Sequence, residues 1–215
     1  MSIGERLTTP ASGRQTAARH PAPGRRASAA RAIACVIAAS VPMFASLPVQ
    51  ADGDCPEILD RSFQSLQRGD ERSLCEYAGK VLLVVNTASF CGYTDQYGGL
   101  EALQRRYGAR GLVVLGFPSN DFGRQEPGRD DEIAEFCRTT YGVQFPMFSK
   151  SRVIGDDANA LFVDLARLSG EPPRWNFHKY LVGRRGNTVH SFGSAVPPGD
   201  PALVAALEDL LAERP

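Results

Sequence analysis

The stretch Lys80–Gln96, KVLLVVNTASFCGYTDQ, limits what this chain can fold into more than any other segment. Its apolar run, Val81–Val85, has the length and β-branched content of a buried strand. A short polar turn follows, Asn86-Thr87-Ala88-Ser89-Phe90, and then Cys91-Gly92-Tyr93-Thr94. After Asp95 the spacing of Leu100, Leu103 and Tyr107 predicts a helix. A cysteine passed from a buried strand to the start of a helix meets backbone N–H groups and the positive end of the helix dipole, which favour a thiolate. That placement makes a nucleophile.

The chain beyond it alternates in the same way. Leu112–Phe117 reads as a second buried strand, and Pro118–Gly128 (PSNDFGRQEPG) as a loop dense in turn formers. Asp130 is the expected N-cap of a helix with Asp131 and Glu132 in its first turn. That helix places Ile133, Phe136 and Cys137 on one face and ends before Gly142. Gln144–Phe148 reads as a short extended piece, and Asn159–Leu168 as a helix with the stripe Leu161, Phe162, Leu165, Leu168. His178–Val182 and Thr188–Phe192 predict a β-hairpin. Pro197–Asp200 starts a last helix with Leu203, Leu207, Leu210 and Leu211 facing inward. The order β-α-β-α-β-α-β-β-α predicts an α/β protein of thioredoxin-like plan, a central mixed β-sheet flanked by helices.

The first fifty residues differ from the rest. Arginines at 6, 14, 19, 25, 26 and 31 precede the apolar run Ala32–Leu47, which Pro42 interrupts and Pro48-Val49-Gln50-Ala51 follows. This is the pattern of a secretory signal peptide cleaved after Ala51; the apolar run is short for a membrane span. Arg25-Arg26 lacks the residues that usually follow a twin-arginine signal, and Cys35 is poorly placed for a lipid anchor. The expected organisation is a leader over 1–51, a lead-in over 52–79 and the main domain over 80–215. Export places the mature chain in the periplasm or outside the cell, with no membrane attachment after cleavage. Lys+Arg and Asp+Glu balance at 24 each in 215 residues, which gives no reason to expect nucleic-acid or acidic-lipid partners.

Without the leader four cysteines remain: Cys55, Cys75, Cys91 and Cys137. None forms a Cys-x-x-Cys pair, and His20, His178 and His190 show no metal-ligand spacing. No metal and no cofactor are expected. Cys55 and Cys75 flank a lead-in rich in loop formers, where a structural disulfide is the natural reading in an oxidising compartment. Cys91 and Cys137 are left for chemistry. Each has a plainer alternative as a buried core thiol, because free cysteine is among the most buried residue types.

Three motifs, in order, make the chain resemble the glutathione peroxidase family, of the cysteine rather than selenocysteine type. They are Asn86–Thr94 (NTASFCGYT), Leu115–Gly128 (LGFPSNDFGRQEPG) and Trp175-Asn176-Phe177, and the likeness runs from about Ala78 to Leu211. The resemblance implies that Cys91 attacks the peroxide with Gln125, Trp175 and Asn176 around it. These three supply N–H donors without a counter-charge, so hydrogen bonding rather than a Cys–His pair would hold the anion. Attack on the O–O bond would leave a sulfenic acid on Cys91 and release water or an alcohol. In the thioredoxin-dependent branch a cysteine at the position of Cys137 resolves that acid as a disulfide. The implied activity is reduction of hydrogen peroxide and organic hydroperoxides, in response to oxidative stress, with a thioredoxin-like protein as reductant. Direct reduction by glutathione and a disulfide relay to client proteins are the alternatives. Arg124, Arg129 and Arg174 are the groups that could attract the glutathione carboxylates.

The chain departs from the family's pattern twice. Ser119 stands where many members have cysteine, which removes that position from resolution. Asp121 stands where many have glutamine, and an inward carboxylate would oppose an anion at Cys91; it is expected to point outward. The short Gly170–Arg174 connection lacks the insertion of oligomeric members and implies a monomer.

Overall fold

The structure, a computed structural model, describes residues 55–214, so the expected leader lies outside the described residues. A small antiparallel hairpin comes first, β1 (Ser62–Gln64) against β2 (Glu71–Ser73), with 3-10 turns at Glu57–Leu59 and Leu74–Tyr77. Cys55 and Cys75 are joined in a disulfide that ties the two turns together. Ile58, Leu59 and Leu74 are buried, so the lead-in adds side chains to the core.

The central sheet has the order β4-β3-β5-β6. Strand β3 (Val81–Thr87) runs parallel to β4 (Leu112–Pro118) and antiparallel to β5 (Lys179–Val182), which pairs with β6 (Val189–Phe192). Every residue of β3 is buried, as a continuous apolar run requires of a strand covered on both faces. Its side chains alternate between two cores. Val81, Leu83 and Val85 pack with α1 (Gln96–Tyr107) and α4 (Pro201–Ala212). Leu82 and Val84 pack with α3 (Ala160–Ser169), Phe117 and Phe148 on the other face. Helix α2 (Asp130–Tyr141) contributes Ile133 and Cys137 to the first core. No helix among the described residues is long and apolar enough to cross a membrane.

Three local expectations change. Residues 144–148 do not add a strand; they touch the sheet only through isolated bridges, Gly116 to Met147 and Ser65 to Phe148. Pro146 has no N–H to continue a ladder, and its carbonyl accepts the Gly116 N–H at 2.9 Å instead. Asp130 is the first residue of α2 rather than its cap, and its carboxylate accepts the Lys150 N–H at 2.9 Å. Glu132 caps the helix by accepting the Arg129 N–H at 2.8 Å. In α3 the buried stripe is Leu161, Phe162 and Leu165, while Leu168 is exposed.

Candidate active site

Cys91 sits at the head of a stack of turns rather than on the first residue of α1. Thr94 N–H donates to the Cys91 carbonyl at 3.1 Å, Gln96 to Tyr93 at 2.9 Å and Tyr97 to Thr94 at 3.1 Å, and regular helix begins only at Gln96. The Thr94 hydroxyl holds the turn by accepting the Cys91 N–H at 3.0 Å and lying 3.0 Å from the Ala88 carbonyl and 2.7 Å from that of Cys91. The anion-favouring group next to the sulfur is therefore one turn amide, Tyr93 N–H, 3.4 Å from Cys91 Sγ. Cys91 is almost fully covered, while its neighbour Phe90 is 67% exposed.

Two loops meet the Cys91 loop. The Pro118–Gly128 loop is stitched to it by Phe90 N–H donating to the Gln125 carbonyl at 3.0 Å and Ser89 Oγ donating to Glu126 Oε2 at 3.1 Å. The Trp175–Phe177 segment is held by Asn86, the buried penultimate residue of β3. Asn86 Nδ2 donates to the Trp175 carbonyl at 3.1 Å, its Oδ1 accepts the His178 N–H at 3.1 Å, and its own carbonyl accepts the Phe177 N–H at 2.6 Å. The two loops then join each other: Asn176 Nδ2 donates to Gln125 Oε1 at 2.9 Å and lies 3.4 Å from the Phe122 carbonyl.

That bond fixes the Gln125 amide with its oxygen spoken for and its NH2 left to donate. The Trp175 ring rests on Phe122, 5.9 Å between centroids, and remains 40% exposed. Gly123 adopts φ 62°, a backbone conformation that strains any side chain, and a Cβ there would be in van der Waals contact with Gln125 and Trp175 at 3.4 Å. Arg124 (φ 54°) and Phe177 (φ 62°) hold left-handed backbone without being glycine, strain of about 1 kcal/mol each that clusters here.

Gln125, Trp175 and Asn176 are thus brought together and tied to the loop that carries Cys91. Cys91 and Cys137 are both free thiols of the same core, but on separate elements. Burial pushes the Cys137 thiol up to about 11; the Tyr97 hydroxyl opposes this and the Glu126 charge adds to it. The expectation for Asp121 is half met. It turns away from Cys91, yet it accepts the N–H groups of Val153 at 2.7 Å and Ile154 at 3.3 Å and pairs with Arg152 rather than facing water. Among the candidate glutathione contacts, Arg129 pairs with Asp131 and Glu132, and Arg174 with Glu171.

Sequence reasoning missed Asn86, Ser89, Thr94 and Glu126 as the residues that assemble the site. Their signal was a set of polar side chains inside two otherwise loop-like motifs, and only burial tells them from solvated turn residues.

The comparisons agree with this geometry. The glutathione peroxidase family profile matches residues 59–166. The chain is 48% identical over 153 residues to the hydroperoxy fatty acid reductase gpx1 of Synechocystis sp., covering 66% of this chain and 89% of that protein. It is 41% identical over 169 residues to the thioredoxin/glutathione peroxidase BtuE of Escherichia coli, covering 67% and 92%. Among solved structures it is similar to Trgpx in apo form, at TM-score 0.57 and 33% identity over 73% of this chain and 96% of that one. The chain belongs to the glutathione peroxidase family, with its thioredoxin-like α/β fold, and is a thiol peroxidase.

Proposed function

We propose that Cys91 is the peroxide-attacking residue and that Cys137 resolves it. The observation that carries this is the joining of three motif segments around Cys91, through the Phe90–Gln125 backbone bond and the Asn176–Gln125 side-chain bond. The Cys91 sulfur attacks one peroxide oxygen, the O–O bond breaks, and the sulfur is oxidised to sulfenic acid while the other oxygen leaves as water or an alcohol. Tyr93 N–H and the side-chain N–H groups of Gln125 and Trp175 offer donors to the negative charge, with no base in the set, while Asn176, whose NH2 is engaged by Gln125 Oε1 and the Phe122 carbonyl, holds Gln125 in place. Hydrogen peroxide and organic hydroperoxides both fit a site whose loops carry the half-exposed Trp175 and the exposed Phe90, the residue before Cys91.

Cys137 then attacks the sulfenic sulfur, expels water and forms a Cys91–Cys137 disulfide, which a thioredoxin-like protein reduces. Helix α2 must loosen locally for the sulfurs to meet, because disulfide geometry tolerates little distance error. The leader pattern supports work in the periplasm or outside the cell as part of the response to oxidative stress, and the chain acts as a monomer.

Non-reducing peptide mapping by mass spectrometry after one equivalent of hydrogen peroxide tests the cycle. A new Cys91–Cys137 disulfide beside an unchanged Cys55–Cys75 one is expected. Oxidised Cys91 with Cys137 still free would exclude resolution and redirect the search to glutathione. An unmodified Cys91 would remove it as the nucleophile.

A further inference from the structure

Glu126 is a fully buried carboxyl with no part in the peroxide chemistry. It directly follows Gln125, and the two side chains serve opposite sides of one loop. Gln125 bonds Asn176, whereas Glu126 Oε2 accepts the hydroxyl of Ser89, two residues before Cys91. The other oxygen, Glu126 Oε1, is buried and has no hydrogen-bond partner among the described residues. The Tyr97 hydroxyl lies against Cys137 and Thr87: burial raises the Tyr97 phenol well above its ordinary value, and the Cys137 thiol and the Glu126 carboxylate add to the rise.

One groove of about 380 Å³ between the Cys91 loop and α2 is lined by Ser89, Phe90, Glu126, Ile133 and Phe136 among others. Ile133 lies one turn before Cys137 on the same buried helix face. Glu126 therefore faces, across this groove, the α2 residues next to Cys137, while Cys137 itself lines a second groove along α2 with Leu66 and Val143.

Resolution needs the Cys137 thiol to give up a proton as its sulfur attacks, and burial holds that proton firmly. We propose that Glu126 is the base for this step, taking the Cys137 proton as the sulfur attacks the Cys91 sulfenic acid. The S–O bond breaks and the S–S bond forms; the Cys137 sulfur is oxidised and the sulfenic sulfur reduced. The proton passes on to the departing hydroxide, which leaves as water. This rests on the resolving role of Cys137 proposed above.

Burial raises the Glu126 carboxyl to about 7, against the Ser89 hydrogen bonds and the Lys150 charge. A general base works best with a value near the operating pH. The groups that face it are Ser89 on the Cys91 loop, Tyr97 on α1, Cys137 and Glu132 on α2, and Lys150, whose ammonium lies 3.2 Å from the Glu126 carbonyl. Lys150 favours the ionised form, burial opposes it, and burial dominates.

Rapid-quench alkylation with intact-mass readout, from about pH 5 to about pH 9, follows sulfenic acid and disulfide separately after one equivalent of hydrogen peroxide. In the wild type, disulfide formation is expected to rise with pH through about 7, as Glu126 ionises. Glu126→Gln should accumulate the sulfenic acid, close the disulfide about 100-fold more slowly above neutrality and lose that rise. Ser89→Ala, which keeps the carboxylate and removes its tie, should keep the rise. It also serves as the second variant if Glu126→Gln does not fold, because a purely structural pair would make it lose the rise as well. A Glu126→Gln protein that closes its disulfide at the wild-type rate and pH profile overturns the proposal alone. A wild type that stops at the sulfenic acid overturns the resolving role, and the proposal with it.

Discussion

Helices α1 and α2 have the same length and stand beside the two free cysteines, but they are held very differently. Helix α1 buries Tyr97, Leu100, Glu101, Leu103 and Tyr107. Helix α2 buries only Ile133 and Cys137, with Ala134, Phe136 and Tyr141 partly covered. At about 1.5–3 kcal/mol for each fully buried apolar side chain, two anchors secure α2 by roughly half or less of what secures α1. The Cys91 loop is thus fixed by a firm helix behind it and by stitches to two other loops. Cys137 rides on the element least costly to detach. A cysteine that must meet peroxide at a prepared site and one that must travel to meet it call for this division.

The comparison can be broken at either cysteine. Cys91→Ser should lower peroxidase turnover by at least about 10³-fold, as loss of a nucleophile does, measured as peroxide consumption with a thioredoxin-like reductant. If activity persists, the firm side of the molecule does not hold the reacting sulfur. Removing the travelling partner should cost less. Cys137→Ser should leave peroxide oxidation of Cys91 in the first turnover but cut steady-state turnover with a protein reductant by about 10²-fold, or 2.7 kcal/mol. Trp175, the sole tryptophan and one bordering the site, offers a fluorescence signal for both experiments. The mobility itself is open to hydrogen exchange. Amides of α2 should exchange about tenfold or more faster than those of α1, through local opening. Ile133→Ala, which removes one of the two anchors, should widen that gap and speed disulfide closure by up to about tenfold. Equal protection of the two helices would remove the physical reason for placing the resolving cysteine on α2.

Much of this was legible in the residues. The run Val81–Val85 could be little else than a strand covered on both sides, and the stripe of α1 gave its buried face correctly. The three motifs named the residues that the fold brings together. The position of Cys91 relative to α1 was less legible, because a nucleophile just before a helix and one at the head of a turn stack share the same sequence pattern. Thr94 decides between them by capping backbone groups of the turn, a hydrogen bond that periodicity does not register. The strand expected at 144–148 failed for a local reason, the missing N–H of Pro146. Glu126 was illegible, since a glutamate between glutamine and proline in a loop reads as solvated until Ser89 is seen to bury it.

Asp121 sharpens the boundary of the firm region and carries the smallest expected effect. It lies on the loop from β4 to α2, close in sequence to Gln125, where a carboxylate facing Cys91 would oppose the sulfur anion. Instead its oxygens are spent on the Val153 and Ile154 N–H groups and the Arg152 guanidinium. Asp121→Asn keeps one acceptor for those amides and removes a charge that the fold has already turned away. The first-turnover oxidation rate of Cys91 should therefore stay within about twofold of wild type, since the carboxylate is already bonded to other groups and its charge is paired with Arg152. Stability should fall by about 1 kcal/mol in denaturant unfolding, for the charge-assisted bonds lost. A marked acceleration of Cys91 oxidation would mean that the carboxylate does reach the sulfur, and that the stitched loops around Cys91 move as α2 does.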